Sequence, residues 1–150
     1  DGQPLKVLPA LPKSYEAVGR LIGGNLSMII SLMGTPFQPN FSRSILLFED
    51  VGEEPYRIDR MLTQLKLAGV LRKVKAIVIG SLIDCVPSDK TKPSLSTDEV
   101  LQDLTEDLKI PVLSHLAYGH MPRKLTMPIG LKVKVNSRLG TLEFLESAVK

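Results

Sequence analysis

Residues 44–79 read SILLFEDVGEEPYRIDRMLTQLKLAGVLRKVKAIVI, and the order of elements within them sets the architecture. Ser44–Glu49 is a run of large apolar side chains closed by an acid. That is the pattern of a strand buried on both faces, as in a parallel sheet. Asp50–Glu54 reads as a turn, and Pro55 suits the first turn of a helix, where its missing N–H is no loss. Ile58, Met61, Leu62 and Leu65 fall at i, i+3, i+4 and i+7, one face of a helix running to Ala68, with Gly69 as its stop. Lys75–Ile79 repeats the buried-strand pattern. A strand, a helix and a second such strand form a right-handed parallel crossover.

Upstream of this unit, Tyr15–Ile22 reads as a strand, Gly23-Gly24-Asn25 as a turn, and Leu26–Met33 as a short helix stopped by Gly34 and Pro36. Asp1–Lys13 carries Pro4, Pro9 and Pro12, too many for a helix or a central strand. It reads as a linker or as the lead-in to the first strand. Downstream, Cys85–Leu95 is a polar, proline-bearing surface loop. Ser96 and Glu99 have capping-box spacing, followed by Val100, Leu101, Leu104 and Leu108 as the buried stripe of a helix. Ile110–Leu113 is a short strand and Ala117–Met127 an irregular loop. Leu131–Asn136 and Thr141–Leu145 pair as an antiparallel hairpin across Ser137–Gly140. The whole is an α/β domain whose mixed sheet has a parallel centre and added antiparallel strands.

Composition narrows the class. One hundred and fifty residues with 43% hydrophobic and 23% charged side chains make one globular domain, which excludes disordered and fibrous chains. The one cysteine, Cys85, cannot form an internal disulfide or a cysteine-cluster zinc site, which leans towards a reducing compartment. The longest apolar runs, Leu26–Met33 and Ala76–Ile83, fall far short of the roughly 18 residues of a bilayer span, so no membrane partner is expected. A net charge of +3 with scattered basic residues and no Trp gives no nucleic-acid footprint. The chain opens on Asp1 without Met, which reads as a piece of something longer.

Ligands of open parallel sheets bind beyond the carboxyl ends of the strands. Glu49 and Asp50 end one such strand, Gly23-Gly24-Asn25 ends another, and Gly119-His120 follows a third. An acid closing a buried apolar run needs a partner; equally, Glu49 and Asp50 suit the start of the following helix as caps. His120, between Gly119 and Pro122, sits in a specified loop, while His115 lies among apolar neighbours as a structural residue. A histidine and a glutamate on neighbouring strand ends would supply the base and the orienter of a nucleophile–histidine–acid triad. The nucleophile is missing from that set. There is no Gly-x-Ser-x-Gly elbow. Ser81 follows a strand but also fits an ordinary turn, and Cys85 has no basic neighbour in sequence. No His-x-x-x-His pair suggests a metal, and no cofactor is expected. Gly23-Gly24-Asn25 either holds an anion on its backbone N–H groups or only turns the chain, with Asn25 as a cap.

Taken together, Gly23-Gly24-Asn25-Leu26, Leu46–Glu53, Pro55–Leu62, Tyr118-Gly119-His120 and Leu125–Gly130 closely resemble the C-terminal domain of LD-carboxypeptidases. These are the serine peptidases of the muramoyltetrapeptide carboxypeptidase and microcin-immunity family, and the resemblance runs from Val18 to Asn136. It implies a three-layer β/β/α fold of the swivelling type over 14–150, with 1–13 as the interdomain linker. It implies a Ser-His-Glu triad in which Glu49 matches the acid and His120 the base. Asn25, with Gly24 beside it, matches a position near the substrate. The serine and its oxyanion hole would lie on a separate N-terminal domain, so this chain would be inactive alone. The implied reaction releases the terminal D-alanine of murein tetrapeptides during cytoplasmic cell-wall recycling, by an enzyme that is a homodimer at full length. Some relatives instead cleave the peptidyl–nucleotide linkage of processed microcin C. Glu53–Arg60 looks more like the murein branch, and His115 stands where relatives often have a small residue. Two rival readings remain: a non-catalytic binding module of the same fold, and an autonomous hydrolase using Ser81. If the N-terminal domain exists, the face it covers should carry an exposed apolar patch.

Overall fold

The computed structural model describes residues 5–8 and 14–149. In chain order the elements are β1 (Lys6–Val7), β2 (Glu16–Asn25), α1 (Leu26–Leu32), β3 (Ile45–Val51), α2 (Pro55–Leu67), α3 (Val70–Lys73), β4 (Ala76–Ile83), α4 (Thr97–Thr105), β5 (Val112–Ser114), β6 (Lys132–Asn136) and β7 (Thr141–Phe144). Among the described residues the strands form one curled sheet in the order β1-β5-β4-β3-β2-β6-β7. Strands β2 to β5 are parallel neighbours, as the crossover pattern predicts, while β1, β6 and β7 run antiparallel to theirs.

The strands alternate, so each parallel strand feeds two cores. Leu46 and Phe48 of β3, Ile77 and Ile79 of β4 and Val112 of β5 face the helices. There they meet Leu26 and Ile29 of α1, Ile58, Leu62 and Leu65 of α2, Val70 and Leu71 of α3, and Val100 and Leu101 of α4. Ile45, Leu47, Ala76, Val78 and Leu113 point the other way and pack against Val133 and Val135 of β6. The second core exists because β2 serves two partners: Glu16–Arg20 pair with β6, and Leu21–Asn25 pair with β3. The curl folds β6 and β7 beneath the parallel strands, which gives the expected β/β/α layers.

Two expectations change. Gly23-Gly24-Asn25 is not a turn; it is the last part of β2, in register with Leu47, Phe48 and Glu49. Gly23 is needed there, because its φ is +150° and a Cβ would fall 1.7 Å from the Leu47 carbonyl oxygen. The buried stripe after Ser96 is also shorter than its periodicity suggests, since α4 ends at Thr105 and Leu108 is only half-buried. Of the proline-rich lead-in, residues 1–4 and 9–13 lie outside the described set. Lys6–Val7 pair with Ser114 and Leu113 as an edge strand.

Candidate active site

The alternation of β3 separates its two terminal acids. Glu49 follows Ile45 and Leu47 onto the face away from the helices, and Asp50 falls on the helix side. Asp50 is buried and structural. Its Oδ2 accepts from the Ser27 N–H at 2.9 Å and the Ser27 hydroxyl at 2.7 Å, and its Oδ1 accepts from Asn25 Nδ2 at 2.9 Å. It therefore ties β3 to the start of α1, not to α2, whose N-cap Glu54 makes no capping bond. Asn25 completes the same joint, its Oδ1 accepting from the Met28 N–H as the N-cap of α1.

Glu49 has a different partner. Its Oε2 lies 2.8 Å from His120 Nδ1, between residues 71 positions apart. The Glu49 side chain is 5% exposed and that of His120 54% exposed, so a buried acid carries an imidazole open to solvent. With Glu49 as carboxylate it can only accept, so Nδ1 holds the proton and Nε2 is left as a base. Glycine makes the approach possible. Gly119 has φ +124°, and a Cβ on it would sit 2.6 Å from Glu49 Oε2. Tyr118 is half-buried beside the pair, and burial together with the Glu49 charge pushes its phenol above the ordinary tyrosine value.

The β3–β4 ladder is irregular here. Phe48 pairs with Ile79 and Asp50 with Leu82, so Gly80 and Ser81 together oppose Glu49 as a bulge. Among the described residues the Ser81 hydroxyl makes no hydrogen bond to the His120 ring. The hydroxyl lies 3.1 Å from Met121 Sδ and 3.5 Å from the Leu116 carbonyl. Cys85 is buried, 3.4 Å from the Ile83 carbonyl, and burial raises its thiol, the reverse of activation. His115 is exposed rather than packed among its apolar neighbours, with φ 65° and Nδ1 2.8 Å from Ser114 Oγ. Among the described residues no three His, Cys, Asp or Glu side chains converge to hold a metal. Sequence reasoning names Tyr118 only as part of the family motif and misses the bulge, for which Gly80, a glycine inside a strand pattern, is the available signal.

The β/β/α domain thus carries an acid–imidazole pair at the carboxyl end of its parallel strands. The family model described as the LD-carboxypeptidase C-terminal domain matches residues 18–135, and the chain belongs to that family. It is 41% identical to the "Probable murein peptide carboxypeptidase" of Bacillus subtilis over 122 residues, 81% of this chain and 38% of that protein. It is 35% identical to the murein tetrapeptide carboxypeptidase of Pseudomonas aeruginosa over 113 residues, 75% of this chain and 36% of that protein. The structure superposes on muramoyltetrapeptide carboxypeptidase from Oxalobacter formigenes with a TM-score of 0.77 and 33% identity, covering 95% of this chain and 50% of that one. The wild-type apo form of the microcin C7 self-immunity protein MccF gives 0.78 and 28%, covering 94% and 42%. The chain thus spans half or less of the length of these relatives.

Proposed function

We propose that this chain is the acid–base half of a serine LD-carboxypeptidase that removes the terminal D-alanine from murein tetrapeptides. The observation that carries this reading is the 2.8 Å contact between buried Glu49 and open His120. In the mechanism, a serine on a separate N-terminal domain gives its proton to His120 Nε2 as its oxygen attacks the scissile carbonyl. Glu49 holds the Nδ1–H tautomer and stabilises the imidazolium. His120 then protonates the leaving D-alanine amine, and later draws the proton from the water that cleaves the acyl-enzyme. Gly24 and Asn25 lie in register with Phe48 and Glu49, and a Cβ on Gly24 would have nothing within 4 Å. That open strand end is the surface we assign to the peptide.

On this reading the full-length enzyme is a homodimer acting in the cytoplasm, and residues 1–13 lead in from the serine domain. The test is Glu49→Gln and His120→Ala in a protein joining this chain to its serine domain. Each is expected to lower kcat by about 10⁴-fold, the scale for loss of a tautomer-fixing acid. Near-normal turnover by either variant overturns the triad. The likeness to MccF supports a second substrate, a peptidyl-nucleotide. Assaying it beside a murein tetrapeptide decides between the two, and turnover of neither leaves the non-catalytic module.

A further inference from the structure

We infer that Ser81 is a positioning residue for His120, gripping the loop on both sides of the imidazole from the β4 bulge; the catalytic meaning of this rests on the triad reading above. Because Gly80 and Ser81 share one partner residue on β3, the ladder is interrupted at Glu49. The Ser81 N–H bonds instead to the Tyr118 carbonyl at 2.8 Å. Its hydroxyl reaches Met121 Sδ at 3.1 Å. Tyr118 and Met121 bracket Gly119-His120, so one residue of the rigid sheet holds both ends of the segment. Gly80 clears the space beneath, since a Cβ there would meet the Tyr118 carbonyl at 2.6 Å and Glu49 Cβ at 3.0 Å. A further bond, from the Leu116 N–H to the Ile79 carbonyl at 3.1 Å, ties the loop down just before the bulge.

The hydroxyl contact is the part of this grip that a side-chain substitution removes without touching the backbone. His120 is more than half exposed and, among the described residues, its ring bonds only to Glu49, so a loosened loop lets the imidazole leave the carboxylate. Loss of the bond changes the balance of tautomers, because only the Nδ1–H form donates to Glu49. A merely structural serine would lower thermal stability and leave that balance alone.

Long-range proton–nitrogen spectra of the ¹⁵N-labelled chain, recorded where the imidazoles are neutral, read the tautomer of each histidine. In Ser81→Ala the Nδ1–H to Nε2–H ratio of His120 is expected to fall about tenfold, the scale of one hydrogen bond. His115 serves as the internal reference and stays unchanged. Ser81→Thr, which keeps the hydroxyl, restores the ratio. Met121→Leu lowers it alone and adds little to Ser81→Ala, the signature of a shared contact. In the joined two-domain protein the same Ser81→Ala lowers kcat about tenfold with KM unchanged. An unaltered His120 tautomer ratio in Ser81→Ala overturns the proposal, as does a ratio that tracks only a fall in melting temperature. Full activity in Glu49→Gln or His120→Ala is a separate result. It removes the triad while leaving the tautomer measurement to judge the grip.

Discussion

Glu49 and Asp50 are adjacent, both carboxylic acids and both buried, yet they do unrelated work, because one strand step moves a side chain to the opposite face. Asp50 accepts from α1, and Glu49 meets a loop 71 residues further on. Gly119 is where that meeting is most easily broken. Alanine there would occupy a left-handed conformation and press its Cβ against Glu49 Oε2. We expect Gly119→Ala to remain folded and lose activity nearly as fully as Glu49→Gln. Wild-type activity in that variant would show that the loop tolerates the displacement. Tyr118 adds a pH dependence. Its folded value is raised, so the contribution is present in full below the unfolded value of about 10 and is lost as pH rises through the folded value. Tyr118→Phe should therefore retain more of its melting temperature in alkali than the parent, and equal losses would count against the assignment. Apolar periodicity could place an acid at the end of a buried run and a histidine in a loop. It could not fix their contact, since nothing local encodes a pairing across 71 positions; their place at neighbouring strand ends suggests the pair, and the family resemblance assigns it.

The elements that were legible are those whose cause is local. Pro55 and the i, i+3, i+4, i+7 stripe place α2, and Ser96 and Glu99 form the expected capping box, with Ser96 Oγ accepting from the Glu99 N–H at 3.2 Å. Glu99 Oε2 in turn accepts from the Ser96 N–H at 2.7 Å, which holds its carboxyl below the usual glutamate value. The element misread was the end of β2, where two glycines signal a turn in sequence but serve an extended strand. At Gly23 the purpose is close approach: the Leu47 carbonyl stands where a Gly23 Cβ would be. Gly24 is different, with the same sign of φ but open space around it. Gly24→Ala should therefore cost only backbone strain, about 1–3 kcal/mol. Gly23→Ala must also part β2 from β3, and should cost more than about 4 kcal/mol or prevent folding. Urea denaturation of the two variants checks the order, and equal losses would mean that β2 yields more easily than its register suggests.

At the scale of the whole molecule, the proposed reading divides the site: this fold supplies the acid and the imidazole, and the serine with its oxyanion hole comes from a separate domain. The parallel strands aim Glu49, Gly24 and Asn25 at one edge of the sheet, and the loop from β5 brings His120 there. Exposed apolar side chains lie on the segments leaving that edge: Met28 at the start of α1, Val51 at the end of β3, and Leu125 and Ile129 on the way to β6. Ser81, the one serine the sequence offered as nucleophile, is turned to Met121 and the Leu116 carbonyl. The isolated chain should accordingly fail to hydrolyse a murein tetrapeptide and should not be labelled by a serine-directed phosphonate. Adding the serine domain, fused or as a separate chain, should restore both reactions. With separate chains, Leu125→Glu should weaken the restored activity by raising the concentration of serine domain required, because a charge would have to be buried against an apolar partner surface. Phosphonate labelling of the isolated chain, lost in Ser81→Ala, would instead mean that the sheet edge completes its own triad, and the division of labour between two domains would have to be abandoned.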